Sequence, residues 1–495
     1  MVEGSTLLGG LTADGVSGLT NRDLAPVAPE ARTWGIYNYA ALWVGMAHNV
    51  TTYLLASALI SLGMSWEQAL LTIALGNVLV LAPMLLTSEA GARYGIPFPV
   101  FARASFGIYG ANVAAMLRAA VACGWFGIDV WIGGEAIYRL IAVVAGRGWA
   151  DSRVIGGHPL TLWLSFACFL ALNLLLLLPG IAVVRRFENV AAPAVLVVAV
   201  AALVWITIRA GGLGPLVSRP SRLGWGGRFW AVFAPSLMAM VAFWAPLSLN
   251  MPDFTRFARS QRAQRLGQVL GLPTTMTLFS LLAVLIVSGS AALYGRVIWD
   301  PVALTARVGQ PVVVVVALLT IVVATLAVNV PANLVSPAYD FSNLRPGLIS
   351  FRVGAVLTAV IAVLIQPWRL LASPHLYIFA WLEFVGGALG AVVGVQIGHY
   401  WLVTRRVLAL PELYDRAGRY RYASGFNLRA LAALALGVVL ALGGAYSTGS
   451  GPFPSTGLLP PLRPLYDYSW AIGIATSATA IYLLHRVFPN QGGGV

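Results

Sequence analysis

Lysine is absent from this 495-residue chain: all 31 basic residues are arginine, and with 17 acidic residues the charged fraction is only 10%. Soluble domains carry roughly 25% charged residues. A single soluble core stops growing beyond about 250–300 residues, so a soluble chain of this length needs the polar surface of two or three domains. That surface is missing, which excludes a soluble enzyme. Only two cysteines occur, Cys123 and Cys168, both inside apolar stretches. This excludes a disulfide framework and a thiolate metal cluster. Catalytic signatures are lacking as well: there is no hydrolase elbow, phosphate-binding Gly loop, HExxH or CxxC arrangement.

What the chain has is apolar length. Hydrophobic residues make up 59% of it, and the mean hydropathy is +0.82. A bilayer core of about 30 Å takes about 20 apolar residues per helix. About twelve such runs are expected, starting near 36, 66, 110, 160, 187, 230, 267, 308, 350, 376, 427 and 468. The net charge of +14 would suggest nucleic acid in a polar protein, but here the arginines lie between apolar runs and report topology instead. They are more frequent in the N-terminal tail and every second connection, Arg93 and Arg103 included, notably at Arg256, Arg259, Arg262 and Arg265 and from Arg405 to Arg429. Both termini are therefore expected in the cytoplasm, with the chain multi-pass in the inner (plasma) membrane. Residues 1–33 lack an apolar core and read as a polar tail, without a signal peptide.

Three runs are interrupted where a plain anchor would be continuous. The first reads WVGMAHNVTTY (43–53), the sixth VAFWAPLSLNMPDF (241–254) and the eighth AVNVPANLVSPAY (327–339). Irregular backbone at membrane depth survives only where protein or a wet cavity satisfies its polar groups. Runs one and six are five helices apart, the spacing of an inverted repeat of two five-helix halves around a central site.

The third run carries Trp125 and Asp129 four residues apart, hence on one helix face, with an aromatic plate one turn from a carboxylate. An intramembrane acid marks a substrate or proton path by default; the alternative is a packing acid neutralised by a nearby Arg. Trp244 and its neighbour Phe243 lie in the broken sixth run, and Asn333 follows Pro331 in the eighth, where an amide must find partners. His48, Arg118, Glu135, Glu383 and His399 are the other ionisable groups within the runs. Glu135 and Arg139 read as a solvated i,i+4 pair, His48 as a structural histidine or a proton carrier, and Glu383 as a gate, a coupling residue or a cavity wall.

An ordered set of stretches resembles the nucleobase:cation symporter-1 family, carriers of purines, pyrimidines, allantoin and hydantoins. These are LTNRDLAPVAPEARTWGIYNYAALWVGMA (19–47), RYGIPFPVFARASFGIYGA (93–111), GWFGIDVWIGG (124–134), NMPDFTRFAR (250–259), NVPANLVSPAYDF (329–341), YWLVTRRVLALPELY (400–414) and RYRYASGFN (419–427). The resemblance implies an all-α integral membrane protein of the amino-acid/sodium symporter-like fold, a five-plus-five inverted repeat with two extra C-terminal helices. Its parts are a tail at 1–33, repeats at 34–210 and 228–404, a cytoplasmic loop at 405–426, two helices within 427–488 and a tail at 489–495. It further implies a planar heterocycle held between Trp125 and Trp244, with Phe243 beside them and amides from Asn49 and Asn333.

Two departures from the family pattern shape the expected chemistry. Asp129 stands where many members carry Gln; an ionised carboxylate only accepts, so a ring edge richer in N–H donors is expected. Sodium-coupled members use carbonyls matching Gly45, His48 and Ala324 plus two hydroxyls. The hydroxyl positions fall here on Ala327 and Val328, with Thr325 available only if the register shifts. Co-transport of H⁺ is therefore expected over Na⁺, with Asp129, His48 and Glu383 as candidate carriers. The expected whole is a monomeric secondary transporter without a cofactor, whose partners are a small heterocycle and lipid, not nucleic acid. An amino-acid or vitamin carrier on the same fold is the alternative, and a polytopic membrane enzyme a distant third.

Overall fold

The computed structural model describes residues 18–488 apart from 179–180, 299–300, 306, 308, 371–380 and 448–450. The expected run starts at 308 and 376, residues 1–17 of the tail and the tail at 489–495 lie outside the described residues. Among the described residues the chain is almost entirely helical, with one small hairpin, β1 (Val154–Ile155) and β2 (His158–Pro159). Six helices among the described residues are long and apolar enough to cross a bilayer. They are α3 (Trp66–Tyr94), α5 (Ala111–Ala145), α6 (Leu160–Leu177), α10 (Gln261–Tyr294), α11 (Pro311–Leu344) and α13 (Glu383–Val403). Further helices are α1 (Ile36–Ala47), α2 (Val50–Ser61), α4 (Phe98–Phe106), α7 (Ile181–Arg209), α8 (Gly227–Phe243), α9 (Ala245–Asn250), α12 (Phe351–Leu364), α14 (Leu428–Leu442) and α15 (Ser469–Val487).

Of the three interrupted runs, the first and sixth break and the eighth widens. At 12 residues, α1 and α2 are each about 18 Å long, too short to cross alone. Between them His48 and Asn49 leave the helical region, Asn49 becoming extended at φ −138°, ψ 168°. Asn49 then restarts the helix as an N-cap, its Oδ1 accepting from the Thr52 N–H at 2.8 Å. The sixth run breaks at Trp244 (φ −103°, ψ 3°), with Pro246 just inside α9, where its missing N–H costs nothing. In the eighth run Pro331 lies in a wide π turn, Val330–Val335, that leaves the helix continuous but re-aims its side chains.

Close packing relies on small residues. On α13, Gly386, Gly390, Gly394 and Gly398 recur every fourth residue, and the last three face the α15 backbone or its side chains. On α10, Gly267 meets Tyr39 and Gly271 meets Trp43, which seats α1 against it.

Arg103 and Arg256, read from sequence as loop charges, are buried and structural. Arg103 donates to the carbonyls of Leu19 (2.7 Å) and Leu413 (3.1 Å) and to Asn343 Oδ1. Arg256 donates to the carbonyls of Asp23 (2.9 Å) and Ala25 (2.7 Å). The segment from 18 to 34 is thereby pinned through its own backbone to two separate regions of the helix bundle.

A Cβ at Gly390 would lie 2.7 Å from the Trp470 carbonyl oxygen, which is backbone and cannot rotate away. Gly390→Val is expected to destabilise the protein by about 1–3 kcal/mol, read as a lower midpoint in thermal unfolding in detergent. An unchanged midpoint would show that α13 and α15 are not held in this register.

Candidate functional site

The breaks in the first and sixth runs face a cavity. It is lined by Thr51, Trp125, Asp129, Phe243, Trp244, Pro246, Leu247, Val328, Ala332 and Asn333, contributed by α2, α5, the α8–α9 break and α11. Its free space is about 20 Å³, the room of a single water. The aromatic wall is a series of edge-on contacts. Trp125 meets Phe243 at 5.3 Å and 81°, Phe243 meets Trp244 at 4.9 Å and 89°, and Trp244 meets Trp43 at 5.2 Å and 87°. Phe243 therefore touches both indoles.

The polar wall is built from amides. Asn333 Nδ2 donates to Asp129 Oδ2 at 3.0 Å and to Asn329 Oδ1 at 3.1 Å. Asn329 Nδ2 donates in turn to Asn173 Oδ1 of α6 at 3.1 Å and to the Phe126 carbonyl at 3.3 Å, and Asn173 Nδ2 donates to the Phe169 carbonyl at 2.8 Å. Asp129 Oδ1 has no hydrogen-bond partner among the described residues, nor does Trp244 Nε1. The sequence reading did not single out Asn173 or Asn329; the available signal was an amide inside the apolar run LALNLLLL and an Asn four residues before Asn333.

The other expected residues are distributed around this centre. Asn49 does not line the cavity: besides capping α2 it accepts from Thr51 Oγ1 at 2.5 Å and donates to the Met46 carbonyl. Its side chain shapes the break that carries Thr51 into the cavity wall. His48, Asn49 and Ala324 line a second, apolar cavity of about 480 Å³ that also includes Tyr53, Trp205 and Phe279. His48 Nδ1 pairs with the Val44 carbonyl at 2.6 Å. Gly45 is buried within α1. Ala327 and Val328 are buried on α11, Val328 in the first cavity, and Thr325 Oγ1 donates back to the Ile321 carbonyl at 2.7 Å. Glu383 is buried at the start of α13, near Asp467, with neither carboxylate oxygen hydrogen-bonded among the described residues. Glu135 and Arg139 form the expected pair at 2.6 Å.

A second polar centre lies toward the Asn250–Thr255 end. The buried Arg118 of α5 donates to Asn250 Oδ1 at 2.9 Å and to the Ala332 carbonyl at 3.1 Å. Asn250 in turn bonds Ser336, and the opposing charges acting on Arg118 are those of Asp340 and Asp253. Asp253 also accepts from the Phe98 N–H at 2.8 Å. A movement that separates α9 from α5 and α11 breaks the Arg118–Asn250 and Asn250–Ser336 bonds. Asp253 and Asp340 lie within stretches quoted for the resemblance, yet their convergence on Arg118 is tertiary and has no sequence signature.

Residues 26–473 match the family described as permeases for cytosine/purines, uracil, thiamine and allantoin. The chain is 40% identical over 476 residues to the allantoin permease of Bacillus subtilis, covering 95% of this chain and 94% of that protein. It is 39% identical over 428 residues to the purine-uracil permease NCS1 of Arabidopsis thaliana, covering 85% of this chain and 70% of that protein. Among solved structures it is similar to a nucleobase-cation-symport-1 family transporter in a closed conformation with bromovinylhydantoin bound. There the TM-score is 0.77 at 25% identity, over 95% of this chain and 97% of that one.

The geometry at Asn49 separates a capping role from ligand contact. Asn49→Ala is expected to lose about 1 kcal/mol of stability, whereas Asn49→Ser, which also caps, retains most of it. Thermal unfolding of the two variants checks this, and equal losses in both would rule out the cap as the residue's main contribution.

Proposed function

Because the chain belongs to the nucleobase:cation symporter-1 family of permeases, we propose that it imports a nucleobase, hydantoin or ureide-type heterocycle by alternating access, coupled to protons. The observation that carries this reading is the cavity at the two helix breaks, where indoles from α5 and the α8–α9 break meet one carboxylate and one amide. Stacking suits a flat, polar, nearly neutral ring: its faces meet π surface while its edge N–H groups meet Asp129 and Asn333. Phe243 turns aside to admit the ring between Trp125 and Trp244. The bundle of α1, α2, α8 and α9 then rocks against α5, α6, α11 and α12, and release follows on the cytoplasmic side, where both termini lie. The moving parts belong to two five-helix halves, 34–210 and 228–404, and the transporter works as a monomer in the cell membrane.

Sodium fits this chain poorly. It needs oxygen ligands, and Ala327 and Val328 supply no side-chain oxygen at the positions matching the hydroxyls, while the Thr325 hydroxyl is engaged with its own helix. The carbonyls of Gly45, His48 and Ala324 remain, three of the five ligands. Proton coupling is the better supported alternative, with Asp129, His48 and Glu383 as buried groups able to take the proton.

Two measurements test the reading. Uracil, cytosine, adenine, hypoxanthine, allantoin and hydantoin should be screened by tryptophan quenching of the purified protein. The ligand that binds is expected to bind about tenfold to a hundredfold more weakly to Trp125→Ala and to Trp244→Ala, the range of single-ring stacking losses. Unchanged affinity in both variants defeats the clamp. In proteoliposomes, uptake of that ligand should follow an inward proton gradient with no sodium present; uptake that requires Na⁺ at fixed pH defeats proton coupling.

A further inference from the structure

The amide chain behind Asp129 has a direction, and two backbone carbonyls fix it. A carbonyl oxygen only accepts, so the Phe169 carbonyl forces Asn173 to turn its Nδ2 inward along α6 and its Oδ1 toward Asn329. Asn329 must meet that oxygen, and the Phe126 carbonyl, with its own Nδ2, which turns its Oδ1 toward Asn333. Asn333 must answer with Nδ2, and the second hydrogen of the same nitrogen goes to Asp129 Oδ2. Both amide hydrogens of Asn333 are thereby committed. What remains to the cavity from these two residues is Asp129 Oδ1 and Asn333 Oδ1, both acceptors while Asp129 is ionised.

We propose that Asn173 and Asn329, neither of which lines the cavity, are positioning residues that hold this polarity and so select ligands presenting two neighbouring N–H donors. The inference rests on the heterocycle-carrier reading and sharpens it. A ureido group offers such a pair, from its N–H and its NH₂. Uracil offers no adjacent donor pair, since each of its N–H groups is flanked by a carbonyl or a C–H. Hydantoin likewise lacks the pair, and allantoin is hydantoin with a ureido arm added. Removing Asn173 leaves Asn329 Nδ2 held only by its longer, 3.3 Å bond to the Phe126 carbonyl, so Asn329 and Asn333 turn more readily, Asn333 presents a donor part of the time and the preference weakens. The same polarity bears on coupling: a bound donor pair requires Asp129 ionised, which leaves His48 and Glu383 to take the proton.

The test compares allantoin with hydantoin in equilibrium binding to purified, full-length protein. Wild type is expected to favour allantoin. Asn173→Leu is expected to lower the allantoin-to-hydantoin affinity ratio roughly tenfold, the scale of one mispaired buried polar group, with hydantoin itself little affected. In Asn173→Asp a neutral carboxyl can still donate to the Phe169 carbonyl and accept from Asn329, so the ratio is expected to return toward wild type. A merely structural role would weaken both ligands together and leave the ratio alone. Should Asn173→Leu fail to fold, Asn329→Ser cuts the relay one link nearer the ligand and is expected to lower the same ratio. An unchanged ratio with both ligands still bound overturns the relay and leaves the carrier reading intact. Failure of wild type to bind allantoin, hydantoin or any nucleobase in the screen removes the carrier reading, and this inference with it.

Discussion

A backbone that leaves the helix inside a bilayer must satisfy its own polar groups, and the architecture of this protein follows from how it does so. At His48 and Asn49 the peptide groups would face hydrocarbon unpaired, at a cost of several kcal/mol each. Asn49 resolves this locally by bonding Thr52, Thr51 and the Met46 carbonyl with one side chain. At Trp244 a proline follows the break and removes one donor from the problem. Around 330–335 the chain widens into a π turn instead of breaking. Each solution frees side chains to point at a common centre, so the cavity is the by-product of three separate repairs.

That centre divides its labour between two walls. Trp43, Trp244, Phe243 and Trp125 meet edge to face, an arrangement favoured by the ring quadrupoles. The opposite wall is rigid. Asp129, Asn333, Asn329 and Asn173 bind one another across α5, α11 and α6, so none turns without disturbing the next. An aromatic face and a hydrogen-bonded polar edge thus meet at one cavity.

Much of the fold was legible because membrane helices announce themselves by composition, and the breaks did so too: Asn49, Pro246 and Pro331 are anomalous in apolar surroundings. The grouping of Trp125, Asp129, Phe243, Trp244 and Asn333 around one cavity was reached through family resemblance, since residues over two hundred positions apart share no local pattern. Three things escaped. Arg103 and Arg256 read as topology charges although backbone carbonyls bury them, because an arginine near a helix end looks the same whether it faces water or a folded-back segment. Asn173 looked like an isolated amide in a leucine run, its importance visible only through Asn329. Asn49, expected at the ligand, is engaged with its own helix start, a competition between cap and contact that sequence alone does not decide.

The smallness of the first cavity sets the terms on which anything enters it. With about 20 Å³ free, it has room for one water. A larger guest displaces side chains before it settles, so part of its attraction to the walls goes into moving them and only the remainder appears as affinity.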